Sequence, residues 1–80
     1  MGVKQRAVPL TDDDLSETDR DVLGVLESGR VTPQFLADEL GISRQYASGR
    51  LKRFREHGVV SKPAPGLYEF NPEEDPRDDG

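Results

Sequence analysis

The sequence predicts an α+β fold, a three-helix bundle closed by a two-stranded C-terminal hairpin, and three observations predict it. Ser16, Thr32 and Ser43 each stand one position before a stretch with apolar residues at helical spacing, and each stretch is closed by a glycine, at Gly29, Gly41 and Gly58. The second and third stretches are separated only by Gly41, Ile42 and Ser43. Beyond Gly58 the pattern turns to short β-prone runs on either side of Pro63-Ala64-Pro65-Gly66.

Residues 1–14 lack helical periodicity and end in Asp12, Asp13 and Asp14, which reads as a flexible arm whose cations are Lys4 and Arg6. Organised sequence, the domain 15–70, begins at Leu15. Ser16 caps a first helix, Glu17 to Ser28, with Asp19 three residues on as a variant of the capping box and Val22, Leu23 and Leu26 on one apolar face. Gly24 inside it costs about 1 kcal/mol relative to alanine, so packing must support the helix. After a short extended piece, Arg30 to Thr32, the second helix starts at Pro33, where a missing N–H costs nothing, and Phe35, Leu36 and Leu40 supply its buried stripe.

Gly41 ends that helix, Ile42 plugs the corner and Ser43 caps the third. Two short helices joined this tightly must cross steeply, which is helix-turn-helix geometry. The third helix runs from Arg44 to His57. Laid out at about 100° per residue, Ala47, Leu51 and Phe54 share a sector of about 60° that must face the other helices. Val59 to Ser61 and Leu67 to Phe70 then read as the strands of a wing, with Tyr68 and Phe70 inward and Leu67 and Glu69 outward. Residues 71–80 are polar, acidic and proline-broken, a disordered tail.

Several functions are excluded by what is missing. Eighty residues hold one compact domain, and without cysteine there is no disulfide framework, thiolate metal site or cysteine nucleophile. His57 is the single histidine and reads as a cation or dipole partner in the last turn of the third helix rather than a base or ligand. The acidic clusters lack the spaced ligands of a calcium loop, and no glycine-rich phosphate loop or nucleophile triad occurs. The sequence therefore predicts neither an enzyme nor a metal, cofactor or small-molecule site. No apolar run approaches the ~20 residues of a membrane span and no signal peptide precedes the domain, so a cytoplasmic location is expected.

The net charge of −5 argues at first against a polyanionic partner. Distribution reverses that reading. From Ser43 to Lys62 the chain carries Arg44, Arg50, Lys52, Arg53, Arg55 and Lys62 against Glu56 alone, a local +5 that leaves −10 for the remainder. Such a charge distribution would orient the molecule on a polyanion such as double-stranded DNA, with a merely solvated helix face as the alternative. Opposite the apolar sector of the third helix lie Gln45, Gly49 and Lys52, flanked by Arg44 and Ser48 on one edge and Tyr46 and Arg53 on the other. Arg44 can address guanine bidentately and Gln45 adenine, while Ser48 and Gly49 permit close approach to the groove floor. Tyr46 offers a ring for a thymine methyl or a hydroxyl for phosphate. Lys52, Arg53 and Arg50 suit backbone phosphates, and Lys62 extends the cationic strip onto the wing. The same face also suits a winged module that binds a protein and no DNA.

Ser43-Arg44-Gln45-Tyr46, the run Arg50 to Val60 and Gly66-Leu67-Tyr68-Glu69 resemble haloarchaeal winged-helix proteins similar to the phage phi-H repressor. More distantly, Leu15-Ser16 and Val22-Leu23 are similar to MarR-type winged helices. The resemblance spans about Leu15 to Phe70 and implies a cytoplasmic regulator of haloarchaeal or viral genes using its third helix in the major groove; a repressor or autoregulator is expected. The 16 acidic residues, mostly aspartate, also resemble a halophilic composition, with an acidic mesophilic protein as the alternative. One helix reads only a few base pairs, so a homodimer on a two-fold site is expected, with Leu67 and the N-terminal arm as candidate contacts. The long flanking dimerisation helices of full-length MarR-type regulators have no counterpart here.

Overall fold

The computed structural model describes residues 10–77. Helices α1 (Glu17–Leu26), α2 (Pro33–Leu40) and α3 (Arg44–Glu56) are followed by the antiparallel strands β1 (Val60–Ala64) and β2 (Leu67–Phe70), with single 3-10 turns at Asp12–Asp14 and Pro72–Glu74. This is the three-helix bundle with a two-stranded wing that the sequence predicts.

Each helix starts where its hydroxyl cap puts it. The side chains of Ser16, Thr32 and Ser43 accept hydrogen bonds from the N–H groups of Asp19, Phe35 and Tyr46 at 3.1, 3.0 and 3.0 Å, each satisfying a donor that helix geometry leaves without a partner. The Asp19 carboxylate accepts the Ser16 N–H in return at 3.0 Å, completing the capping box. Gly41 stops α2 at φ 66°, a left-handed conformation that a side chain would strain, and Ile42 N–H then donates to the Ala37 carbonyl at 3.1 Å. That turn sets α3 across α2. Helix α1 ends at Leu26 rather than at Ser28, because both the N–H and the hydroxyl of Ser28 donate to the Val25 carbonyl, at 3.0 and 2.7 Å, and tighten the last turn. Helix α3 ends at Glu56, with His57 as its C-cap.

One core forms where the helices meet the wing. It takes Val22, Leu23 and Leu26 from α1, Leu36 and Ala37 from α2, Ala47, Leu51 and Phe54 from α3, and Val31, Val59, Val60 and Tyr68 from the segments around the hairpin. The α3 face read from the sequence is the face that packs. The stripe assigned to α2 needs correction: Leu36 is buried and Leu40 half-buried, but Phe35 is 45% exposed. Phe35 and Leu36 are adjacent and so point about 100° apart. Ala37 is small enough to let α3 close on the Leu36–Ala37 edge, which turns Phe35 outward.

The wing also differs from its sequence outline. Strand β1 starts at Val60, not Val59, and continues through Lys62 and Pro63 to Ala64, so the reversal is confined to Pro65-Gly66. Pairing joins Val60 to Phe70, Ser61 to Glu69 and Ala64 to Leu67, with a break in register between Ser61 and Ala64. Pro63 fits inside that break, on an edge strand, because no ladder N–H is required of it there. On the opposite side of β2, Val31 and Tyr68 exchange backbone hydrogen bonds of 2.9 and 2.8 Å, which tie the wing to the α1–α2 connection. Tyr68 is buried and Phe70 half-buried against the core. Asn71 Nδ2 then donates to the Gly58 carbonyl at 3.0 Å, fixing the strand's exit to the end of α3.

Two turns fall within the stretches that the sequence reads as arm and tail. Thr11 donates from its N–H and hydroxyl to Asp14 at 3.0 and 3.1 Å, and Arg20 bonds Asp12 at 2.8 Å. After Pro72–Glu74, Arg77 pairs with Asp75 at 2.8 Å and with Glu27 of the α1 C-cap. The polar, acidic composition that signals disorder supplies these bonds, local at Thr11–Asp14 and Asp75–Arg77 and longer in range from Arg20 to Asp12 and from Arg77 to Glu27.

Gly24 lies on the exposed side of α1, and a methyl group there would meet no atom within 4 Å beyond its chain neighbours and the backbone of its own helix. Gly24→Ala should raise stability by about 0.5–1 kcal/mol through helix propensity alone, seen as a higher denaturant midpoint with unchanged m-value.

Candidate nucleic-acid interface

The polar side of α3 is organised by what lies along its two edges. Arg44, Gln45, Tyr46, Gly49 and Lys52 are exposed, Tyr46 at 41%, while Ser48, Arg50 and Arg53 are partly covered. Two shallow grooves run along this face. Ser43, Gln45, Tyr46, Gly49, Arg50 and Arg53 line the one nearer α1, and Ser48, Gly49, Lys52 and Arg55 line the other together with Lys62 and Tyr68 of the wing. Gly49 belongs to both. A side chain there would meet nothing within 4 Å, so the fold itself does not require glycine at this position.

The groove beside the wing collects exposed cations. Lys52 and Arg55 are exposed on α3, Lys62 on β1, and none of these, nor Arg44, makes an ion pair among the described residues. The Lys62 ammonium stands 5.6 Å from the centre of the Tyr68 ring, which steadies a long side chain without neutralising it. Uncompensated cations bordering a groove offer donors to an anion that approaches from solvent.

The groove beside α1 is built differently, around Asp19. Its carboxylate is 1% exposed and accepts from Arg50 Nη1 at 3.0 Å and Arg53 Nη1 at 3.5 Å, in addition to the Ser16 N–H. Removing a carboxylate from water costs several kcal/mol unless charge and donors replace the lost hydration, and these three donors do so. Arg50 also lies 5.1 Å from the centre of the Tyr46 ring. Asp14 stands near the same edge: hydrogen bonds from the Thr11 backbone and side chain, with Arg53 and His57 contributing at longer range, hold its carboxyl below the usual carboxylate value.

The residues singled out in the sequence thus fall on one continuous surface formed by α3 and β1, in three settings. Arg44, Gln45, Tyr46 and Gly49 lie open, Ser48 borders the wing groove with Lys52 and Lys62, and Arg50 and Arg53 are held against Asp19. Lys62 lies within β1, one residue beyond the strand that the sequence outlines. Lys4 and Arg6 lie outside the described residues. Sequence reasoning missed two participants. In the sequence Arg55 stands out only as charge, although at about 100° per residue it lies beside Ser48. The sequence marks Asp19 only as a cap, because its arginine partners are 31 and 34 residues away, beyond any local pattern.

No helix among the described residues is long and apolar enough to cross a membrane. Residues 13–66 match the family model of the MarR family. No curated protein matches the chain.

Proposed function

The chain belongs to the MarR family, and from that premise we propose that it is a DNA-binding transcription regulator, a repressor, that recognises a specific sequence by laying α3 in the major groove of double-stranded DNA. The observation that carries this reading is the α3 face itself: side chains able to read base edges stand open between two grooves bordered by arginine and lysine. In this reading Arg44, Gln45, Ser48 and Gly49 meet base edges, Tyr46 meets a thymine methyl or a phosphate, and Lys52, Arg53, Arg55 and Lys62 meet phosphates, with Arg50 beside them. The family is regulatory, which agrees with the absence of an enzymatic motif from the sequence. A homodimer on a two-fold site, a cytoplasmic setting and descent among haloarchaeal proteins similar to the phi-H repressor complete the proposal.

Selection of bound duplexes from a random pool tests it. Enrichment of a discrete motif is expected, and no retention at any salt concentration would favour the protein-binding alternative. Gly49→Ala separates recognition from folding. Because space is open above Gly49, the variant should be more stable by about 0.5–1 kcal/mol, as for Gly24→Ala. Its binding should nonetheless weaken by about 1–3 kcal/mol, the scale of one good base contact, because the added methyl stands between helix and groove floor. Unchanged binding would remove Gly49 from the interface.

A further inference from the structure

Among the charges on the α3 face, Asp19 is out of place in a surface meant for a polyanion. It is a buried carboxylate directly beneath two of the arginines that line the groove. Simple Coulomb reasoning makes it a liability, since a negative charge behind the interface repels phosphate. The geometry points elsewhere.

Each arginine spends a single terminal nitrogen on Asp19, Arg50 at 3.0 Å and Arg53 at 3.5 Å, and keeps part of its side chain in solvent, 27% and 38% respectively. A guanidinium carries five N–H donors in a rigid fork, so one side can rest on a carboxylate while the other addresses a second oxyanion. The anchor is itself bonded: Asp19 is paired with the Ser16 cap at the start of α1, and Arg50 lies 5.1 Å from the centre of the Tyr46 ring. Arginine otherwise loses close to 2 kcal/mol of rotamer freedom when it is fixed by a ligand. Here the contacts with Asp19 already restrict part of that freedom in the unbound protein.

We propose that Asp19 is a positioning residue for DNA binding: it holds Arg50 and Arg53 with their unused donors along the α3 groove, poised for two adjacent phosphate oxygens. The inference rests on the DNA-binding reading of α3. It assigns the two arginines a dual engagement, with the buried carboxylate behind and the DNA backbone in front, and it makes the capping box of α1 part of the recognition surface.

The test is Asp19→Asn, which keeps the side-chain shape and an acceptor oxygen but removes the charge that orients the arginines. Affinity for the selected duplex is measured across a salt series beside the wild type, with thermal melting as the check on folding. Removing an acid near a polyanion should tighten binding if charge alone matters. Positioning predicts the reverse: a loss of about tenfold to a hundredfold near 0.1 M salt, and a salt slope shallower by about one to two units. The loss should vanish in an Arg50→Gln/Arg53→Gln background. Equal or tighter binding by a folded Asp19→Asn variant, or a loss that persists without the arginines, would overturn the proposal.

The wild type gives a second measurement that no folding defect can confuse. The Nε–H resonances of Arg50 and Arg53 should shift on titration with duplex DNA and saturate with the binding curve, and resonances that stay still would overturn the proposal equally. A wild type that binds no DNA fails the parent reading, an outcome distinct from both.

Discussion

Replacing Lys52, Arg55 and Lys62 together by glutamine should lower affinity for duplex DNA by a factor of about 10² to 10³ near 0.1 M salt, and by almost nothing near 1 M. The size follows from counterion release. Each phosphate neutralised by a protein cation contributes about −0.9 to the slope of log affinity against log salt, so three lost contacts flatten the slope by close to three units. All three side chains are exposed and without ion pairs among the described residues, so stability should change by less than about 0.5 kcal/mol. The loss should be the same for the selected motif and for random duplex, because backbone contacts position the protein without reading sequence. Loss confined to the motif would instead place these cations at base edges, and no loss at all would move the interface off the wing groove. At molar salt, with a screening length of about 3 Å, this cluster should add little, and on the proposed reading Arg44, Gln45, Ser48 and the close approach over Gly49 supply the affinity.

What could be read from the sequence was local. Ser16, Thr32 and Ser43 cap helices because a hydroxyl one residue before a helix finds its partner three residues on, and Gly41 makes its turn with no help from distant chain. The α3 face of Ala47, Leu51 and Phe54 was legible for a related reason. Over thirteen residues helical periodicity repeats often enough to define a side. The eight residues of α2 do not offer that repetition, and which of two adjacent apolar residues turns inward was decided by the approach of α3.

The same division runs through the site. The open residues Arg44, Gln45, Tyr46 and Gly49 could be placed from helix geometry alone, since nothing outside α3 modifies their setting. Arg50 and Arg53 could not, because the carboxylate that holds them comes from the start of α1. The sequence assigns Lys62 to the wing, but its strand setting depends on the register break near Pro63, which arises from pairing with β2. Likewise, the exchange of hydrogen bonds between Val31 and Tyr68 joins residues far apart in sequence and leaves no periodic trace. These long-range features are what give the α3 face its two unlike edges.

Two phenylalanines test this distinction with the widest separation in energy. Phe54→Ala should destabilise the domain by about 3–5 kcal/mol, whereas Phe35→Ala should cost about 1 kcal/mol. Phe54 is 0% exposed and is the largest fully buried side chain among the described residues. Its removal leaves a cavity between α3 and the rest of the core, in the turn whose carbonyl accepts Val59 N–H at 2.8 Å and leads into the wing. For a domain of this size, whose total stability lies at roughly 4–10 kcal/mol, such a loss removes a large share of the folded population. DNA binding should then fall with the folded fraction and return under stabilising conditions, because the α3 face is intact whenever the protein folds. Phe35 has given up less than two-thirds of its surface and leaves no enclosed cavity behind, so its variant should melt near the wild type and bind DNA as well. A Phe35→Ala variant as unstable as Phe54→Ala would return Phe35 to the core stripe first read from the sequence. Normal stability with lost binding would instead extend the interface onto α2.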